Sequence, residues 1–201
     1  MHPLNVAEIF IGTKALGPGN RSVVWLQGCP FRCKSCYSPD WIQDIPNQLL
    51  PSDLLASILI EDRSIDGVTI SGGEPFHQPD GLFDLLSNLR KEKPEVSIIV
   101  FTGYRLEQLE ARTNWLGMDQ FKPLVDVLID GLYIESLDDG IGLRGSVNQQ
   151  FHYFSERHRL DHLETQPRVN EIKVYRDAIQ LVGIPTRALS KMVLSESFRK
   201  V

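Results

Sequence analysis

The stretch Ser22-Val23-Val24-Trp25-Leu26-Gln27-Gly28-Cys29-Pro30-Phe31-Arg32-Cys33-Lys34-Ser35-Cys36-Tyr37 decides how this chain of 201 residues is organised. Its first part, residues 22–27, is an unbroken apolar and β-branched run, the pattern of a strand buried on both faces. Its second part holds all three cysteines of the chain within eight residues, at the spacing C-x3-C-x2-C, in a loop flanked by Gly28 and Pro30. Ligands gather just beyond the carboxyl ends of parallel strands, so a cysteine loop that begins where a central strand stops is placed as a catalytic loop would be.

Three thiolates on one short loop can hold three corners of a [4Fe-4S] cluster. The sequence has no fourth cysteine for the remaining iron, and an open coordination position is what separates a catalytic metal site from a closed structural one. Other readings stand beside this one. A structural zinc site needs a fourth ligand, for which His77 and His152 are available. A disulfide leaves one cysteine over, and chance clustering of buried cysteines leaves Gly28, Pro30 and the odd count unexplained.

Outward from the loop the chain alternates between two patterns. Residues 5–13 read as a short strand, and Gly67-Val68-Thr69-Ile70-Ser71, Val96 to Phe101 and Val125 to Gly131 read as buried strands, each ending near glycine. Pro51-Ser52-Asp53 reads as a helix start with Ser52 as cap, residues 79–93 carry Leu82, Phe83, Leu85, Leu86 and Leu89 at helical spacing, and Leu106, Leu109 and Trp115 suggest a further helix. Strand, loop and helix in this order make βαβ units with a parallel sheet. About four such units cannot close an eight-unit barrel, so the site is expected to stay open on one side. Residues 151–168 fit helix or ordered loop, with His152, His158 and His162 on a solvated face. Residues 169–175 and 178–182 suggest a hairpin, and 187–200 a short terminal helix.

The chain is long enough for one domain with a sizeable core. Twenty-one basic against 26 acidic residues give a net charge of -5, which argues against a broad electrostatic surface for nucleic acid or anionic membrane. No apolar run approaches membrane-spanning length and no leader pattern opens the chain, so a cytoplasmic protein with reduced thiols is expected.

Cys29-x3-Cys33-x2-Cys36 after a buried strand, with Gly72-Gly73-Glu74-Pro75 at the end of the next, resembles the radical S-adenosylmethionine (radical SAM) superfamily. Within it the chain is similar to the activating enzymes of anaerobic ribonucleotide reductase, through Gly28-Cys29-Pro30, Thr102-Gly103-Tyr104 with Leu106-Glu107-Gln108-Leu109, Asp126-Val127-Leu128-Ile129-Asp130-Gly131, and Leu143-Arg144-Gly145-Ser146-Val147-Asn148-Gln149. These stretches span residues 17–149. Ser35 stands where many members have an aromatic residue, itself a feature of the reductase-activating branch, and Phe31 stands where the loop often carries histidine. The tail 151–201 is longer than compact members need.

The resemblance implies an open, partial parallel βα barrel of the radical SAM type over residues 1–150, with 151–201 as a C-terminal extension of the single domain. It implies that Cys29, Cys33 and Cys36 hold the [4Fe-4S] cluster while S-adenosylmethionine chelates the open iron. Reductive cleavage then gives methionine and a 5'-deoxyadenosyl radical, which abstracts hydrogen from a glycine of anaerobic ribonucleotide reductase, a glycyl radical enzyme. Electrons would come from a donor such as flavodoxin, ferredoxin or a thioredoxin system. The cofactor carries the hard step, so no general acid or base is nominated.

Gly72 and Gly73 lack a β-carbon and let backbone approach a ligand, with their carbonyls open to an ammonium group, and Glu74 would add a charge-assisted contact or brace the loop. Ser35, Cys36 and Tyr37 fall on the stretch that the family places at the adenine side. Thr102 is a ribose or substrate-side candidate, or the residue of a strand-ending turn. Asp130 lines the site or forms a turn with Gly131. Arg144 holds a carboxylate in two-point fashion or makes a surface ion pair. Asn148 and Gln149 would bond to backbone, and His77 is a further candidate. The alternatives are a radical SAM enzyme acting on a small molecule or short peptide, similar to 7-carboxy-7-deazaguanine synthase, and a non-catalytic iron-sulfur or zinc module.

Overall fold

A computed structural model of the chain describes residues 2–113, 115, 116–174, 176, 179–186 and 189. The terminal helix expected over 187–200 falls almost wholly outside them. The buried runs all form strands. β1 (Pro3–Thr13), β2 (Arg21–Leu26), β3 (Gln48–Pro51), β4 (Gly67–Gly72), β5 (Ser97–Phe101), β6 (Val127–Asp130) and β7 (Gln150–Tyr153) join in one seven-stranded sheet of order β3-β1-β2-β4-β5-β6-β7. The four inner strands β2, β4, β5 and β6 are parallel, and antiparallel strands cover both edges. β8 (Asn170–Val174) and β9 (Ile179–Gly183) form the expected hairpin as a separate two-stranded sheet.

The helices α1 (Ser52–Ile60), α2 (Pro79–Glu92), α3 (Leu106–Glu110) and α4 (Met118–Phe121) complete the βα pattern. Alternate residues of the parallel strands feed two separate cores, as the two-residue period of a strand requires. On one side Val24, Leu26, Val68, Ile70, Ile98, Val100 and Leu128 pack with the leucines of α1 and α2. On the other, Val23, Trp25, Ile99, Val127 and Ile129 pack with Leu143 and Leu163, and with Val182 and Ile184 from the end of the hairpin. Helices cover one face of the sheet, and loops plus the hairpin cover the other.

Several local expectations change. Pro51, still paired in β3 with Pro3, takes the cap position of α1, so Ser52 is the first helical residue and its buried Oγ has no partner. α3 stops at Glu110, and Trp115 packs edge-on against Phe76 instead of extending that helix. Residues 150–153 are strand, with Phe151 and Tyr153 stacked on one face, and turns follow. Two of the three histidines there leave the solvated face: His158 is buried between Ser97 Oγ and Asp161, each at 2.6 Å, and His152 reaches Asp130 at 2.8 Å, while His162 is exposed as expected.

Arg21 opens β2 fully buried, at the opposite end from the cysteines. Its guanidinium donates to Thr69 Oγ1, Ser97 Oγ and the carbonyls of Pro18, Val68 and Ser97. The acceptors are neutral, and burial pushes its pKa down to about 9. Gly67 is required beside it, since a β-carbon there would lie 2.2 Å from Nη1.

Asp126, just before β6, ties three elements together. It accepts from Arg90 of α2, from the Ile98 amide of β5 and from the Ser155 hydroxyl. Burial opposes its charge, but the Ser155 hydroxyl, the Ile98 amide and Arg90 prevail and hold its carboxyl below the ordinary range. A lowered native pKa contributes stability above the unfolded value and loses it as pH falls through the native one. Asp126→Asn should therefore cost about 3 kcal/mol at neutral pH, as for a broken buried ion pair. The gap to wild type, read as anaerobic unfolding midpoints, should narrow below about pH 4.

Candidate functional site

The parallel strands deliver their carboxyl ends to one cavity on the hairpin side of the sheet. Its volume is about 180 Å³, and it opens to solvent at one side. Cys29, Cys33 and Cys36 line it together with Tyr37, Gly72, Gly73, Glu74 and Thr102. Residues as far apart in sequence as Leu16 and Ile184 thus meet there, with Trp25, Gly145, Gln149 and Gly183 lining the same space.

The cysteine loop is closed at its base. Gly28 and Cys29 donate their amides to the carbonyls of Trp41 and Ile42 at 2.9 and 3.1 Å, and Trp41 packs on Trp25. Opposite lies the glycine turn after β4. Gly73 donates to Leu26 O at 2.7 Å and Glu74 to Gly28 O at 2.9 Å. A β-carbon on Gly73 would sit 2.2 Å from the Gly28 carbonyl oxygen, and Gly72 has φ +112° with β2 backbone equally close, so both positions demand glycine.

Glu74 is buried and fully engaged. Its Oε1 accepts from the Phe76 amide (2.9 Å) and the Thr102 hydroxyl (2.8 Å), and its Oε2 from the Gly103 amide (2.7 Å). Burial pushes its pKa up to about 7, against the pull of the Gly103 and Phe76 amides and the Thr102 hydroxyl. The carboxylate fastens the end of β4 to the end of β5. Thr102 is both a cavity residue and the donor in this tie.

Not every residue singled out in the sequence reaches the cavity. Ser35 is exposed at φ +61°, and its hydroxyl donates to Glu135 at 2.9 Å. Asp130 lies below the surface of the cavity. There it accepts from the Leu106 amide that starts α3 (2.7 Å), from His152 and from Arg105. Arg144 pairs with Asp139 at 3.2 Å outside the lining. His77 pairs with Asp44 at 3.2 Å, so both histidines considered for a zinc site are engaged elsewhere. Gln149 does line the cavity, and its side chain is engaged there, donating to Gly131 O and accepting from the Gly145 and Ser146 amides.

Other residues of the cavity carry no mark in the sequence itself. Tyr133 stacks on Tyr37 with ring centroids 4.7 Å apart, and its one available signal was its position two residues after the strand-ending Gly131. Gly183 and Ile184 come from the hairpin, where the sequence offered only strand periodicity.

All three cysteines are half-buried in one cavity wall. Burial pushes the Cys29 thiol up to about 11 and raises Cys33 as well, with the backbone amides of Phe31 and Tyr133 pulling the other way. Positive charge at that wall would restore the thiolates. Among the described residues no three histidine, cysteine or acidic side chains converge on a single ion position.

Comparison with known proteins points to an iron-sulfur domain. A family model described as a 4Fe-4S single cluster domain matches residues 15–152. The anaerobic ribonucleoside-triphosphate reductase-activating protein of Haemophilus influenzae is 33% identical over 151 residues, covering 69% of this chain and 90% of that protein. Its namesake in Escherichia coli K12 is 32% identical over 145 residues, covering 68% and 90%. That of Enterobacteria phage T4 is 30% identical over 151 residues, covering 73% and 92%. Among the described residues no helix is long and apolar enough to cross a membrane. With its cysteine loop inside the matched iron-sulfur segment and relatives that it spans almost end to end, the chain belongs to the family of anaerobic ribonucleoside-triphosphate reductase-activating proteins.

Proposed function

We propose that this protein cleaves S-adenosylmethionine reductively and uses the radical so formed to activate anaerobic ribonucleotide reductase by abstracting hydrogen from one of its glycines. The observation that supports this most is the single cavity in which the three cysteines face the glycine turn and Glu74. When bound, a [4Fe-4S] cluster with S-adenosylmethionine on its open iron supplies the one-electron chemistry that yields methionine and the 5'-deoxyadenosyl radical.

The chain's own residues bind and orient. Cys29, Cys33 and Cys36 would hold the cluster against the ends of β2 and β4. The Gly72 and Gly73 backbone presents carbonyls without side-chain obstruction for the methionine ammonium. Glu74, with both oxygens occupied by Phe76, Thr102 and Gly103, keeps the glycine turn and the Thr102 turn in fixed relation, which is how positioning lowers a barrier. Tyr37 and Tyr133 offer a paired aromatic wall suited to an adenine ring. Trp25, Phe101 and Ile184 make the floor apolar and exclude water from a reactive radical.

The four parallel strands, flanked on both sides by antiparallel ones, are read as a partial βα barrel of the radical SAM type, with residues 1–150 as its core and 151–201 as a C-terminal extension. An open side suits a loop of a protein partner, and the electron donor would be a flavodoxin, ferredoxin or thioredoxin system.

Replacing any one of Cys29, Cys33 or Cys36 by alanine should leave the anaerobically reconstituted protein without a complete cluster, measured as iron and sulfide per chain. The same variants should release no 5'-deoxyadenosine from S-adenosylmethionine. With the reductase as partner and deuterium on its glycine α-carbon, the reduced enzyme should carry deuterium into 5'-deoxyadenosine. Nucleoside formed without deuterium would point to another substrate, and a fully ligated zinc ion in the native protein would end the reading.

A further inference from the structure

The cysteine loop is exposed at Arg32, Lys34 and Ser35, and yet the residue after its third cysteine is held by a buried polar chain that the proposed reaction does not use. Tyr37 donates its phenol to Asp138 Oδ2 at 2.5 Å. The other Asp138 oxygen meets Arg168 Nη2 at 2.9 Å, with the two side chains 0% and 2% exposed. From there Arg168 reaches the carbonyls of Arg144 (2.6 Å), Gly145 (3.1 Å) and Pro185 (3.3 Å). Gly145 lines the cavity, as does Ile184 next to Pro185. The matched family segment ends at residue 152, so Arg168 and its Pro185 partner lie beyond it.

We propose that Arg168, paired with Asp138, is a positioning residue that bolts Tyr37, and with it the Cys33–Cys36 half of the cluster loop, to the C-terminal hairpin. This rests on the cluster reading above. Burying an ion pair is a poor route to stability, because desolvation offsets the attraction. What a planar guanidinium does well is fix several acceptors in one arrangement, and here those acceptors belong to the cluster-loop clasp, to the 144–145 turn and to the hairpin end. The extension thereby becomes a wall of the reaction site. Groups that orient metal ligands from behind control how firmly the metal is held.

The test uses the full chain, anaerobically reconstituted, and reads iron release to a ferrous chelator, the change that S-adenosylmethionine makes in the spectrum of the reduced cluster, and the melting temperature. Arg168→Met alone leaves Asp138 charged and buried, so it should lower the melting temperature. The deciding variant is Arg168→Met with Asp138→Leu, which removes both charges and should restore the melting temperature towards wild type. It should nevertheless release iron about 10-fold faster and raise the KM for S-adenosylmethionine more than it lowers kcat. Lys173→Ala, which loses the hairpin's contact over Phe10, should release iron at the wild-type rate.

A double variant that folds and releases iron at the wild-type rate would overturn the proposal. If it does not fold, Arg168→Lys decides: the proposal expects intermediate iron release, and a wild-type rate refutes it. A wild-type protein that takes up no iron overturns both readings. One that takes up iron but shows no response to S-adenosylmethionine overturns the proposed function alone, and the iron-release comparison still decides this one.

Discussion

The backbone of Gly73 lies so close to the Gly28 carbonyl that no side chain fits between them, and the rest of the site follows from that contact. It brings the root of the cysteine loop against the turn after the neighbouring strand, and the Gly73 and Glu74 amides complete the bond pattern there. Glu74 then passes the constraint to the next strand end through Thr102 and Gly103. Thr102 donates its amide to Ile129 of the strand after that. Four strand ends are thus registered in turn, each by backbone geometry and one buried carboxylate. Cysteines from an exposed loop acquire a defined wall to face because of it.

Much of this was legible in the chain. The β-branched runs gave the four parallel strands, since a strand buried on both faces has no polar alternation to confuse it. The three cysteines and the two glycines pointed to what is one cavity in the fold, because few other uses demand those residues so close together. What stayed illegible depends on partners distant in sequence. Asp130 reads equally as a site residue or a turn residue until His152 and the Leu106 amide are seen beside it. His158 looks solvated until the fold brings Ser97 to it. Tyr133 and Ile184 enter the cavity from segments whose local pattern says nothing of what they will face. Ser52 fits a cap by composition, but the strand that ends at Pro51 fixes the chain one residue earlier.

The two faces of the sheet divide the work. Helices α1 and α2 give one face a continuous leucine-rich core. The opposite face, where the cavity opens, is covered by the 141–163 segment and the hairpin, with Leu143, Leu163, Val182 and Ile184 completing its apolar layer. The hairpin is therefore part of the enclosure, although it lies outside the segment that marks the family. Loops and short strands can reshape such a face without disturbing the parallel sheet beneath, which is where binding sites commonly vary on a rigid scaffold.

Neither apolar core includes a cysteine, and no strand pairing passes through residues 29–36. The sheet and its two apolar layers are therefore assembled from residues other than the cysteines, in contrast to small zinc domains whose core is the ion and its ligands. The chemistry at residues 29–36 can thus change without altering a strand pairing or an apolar layer.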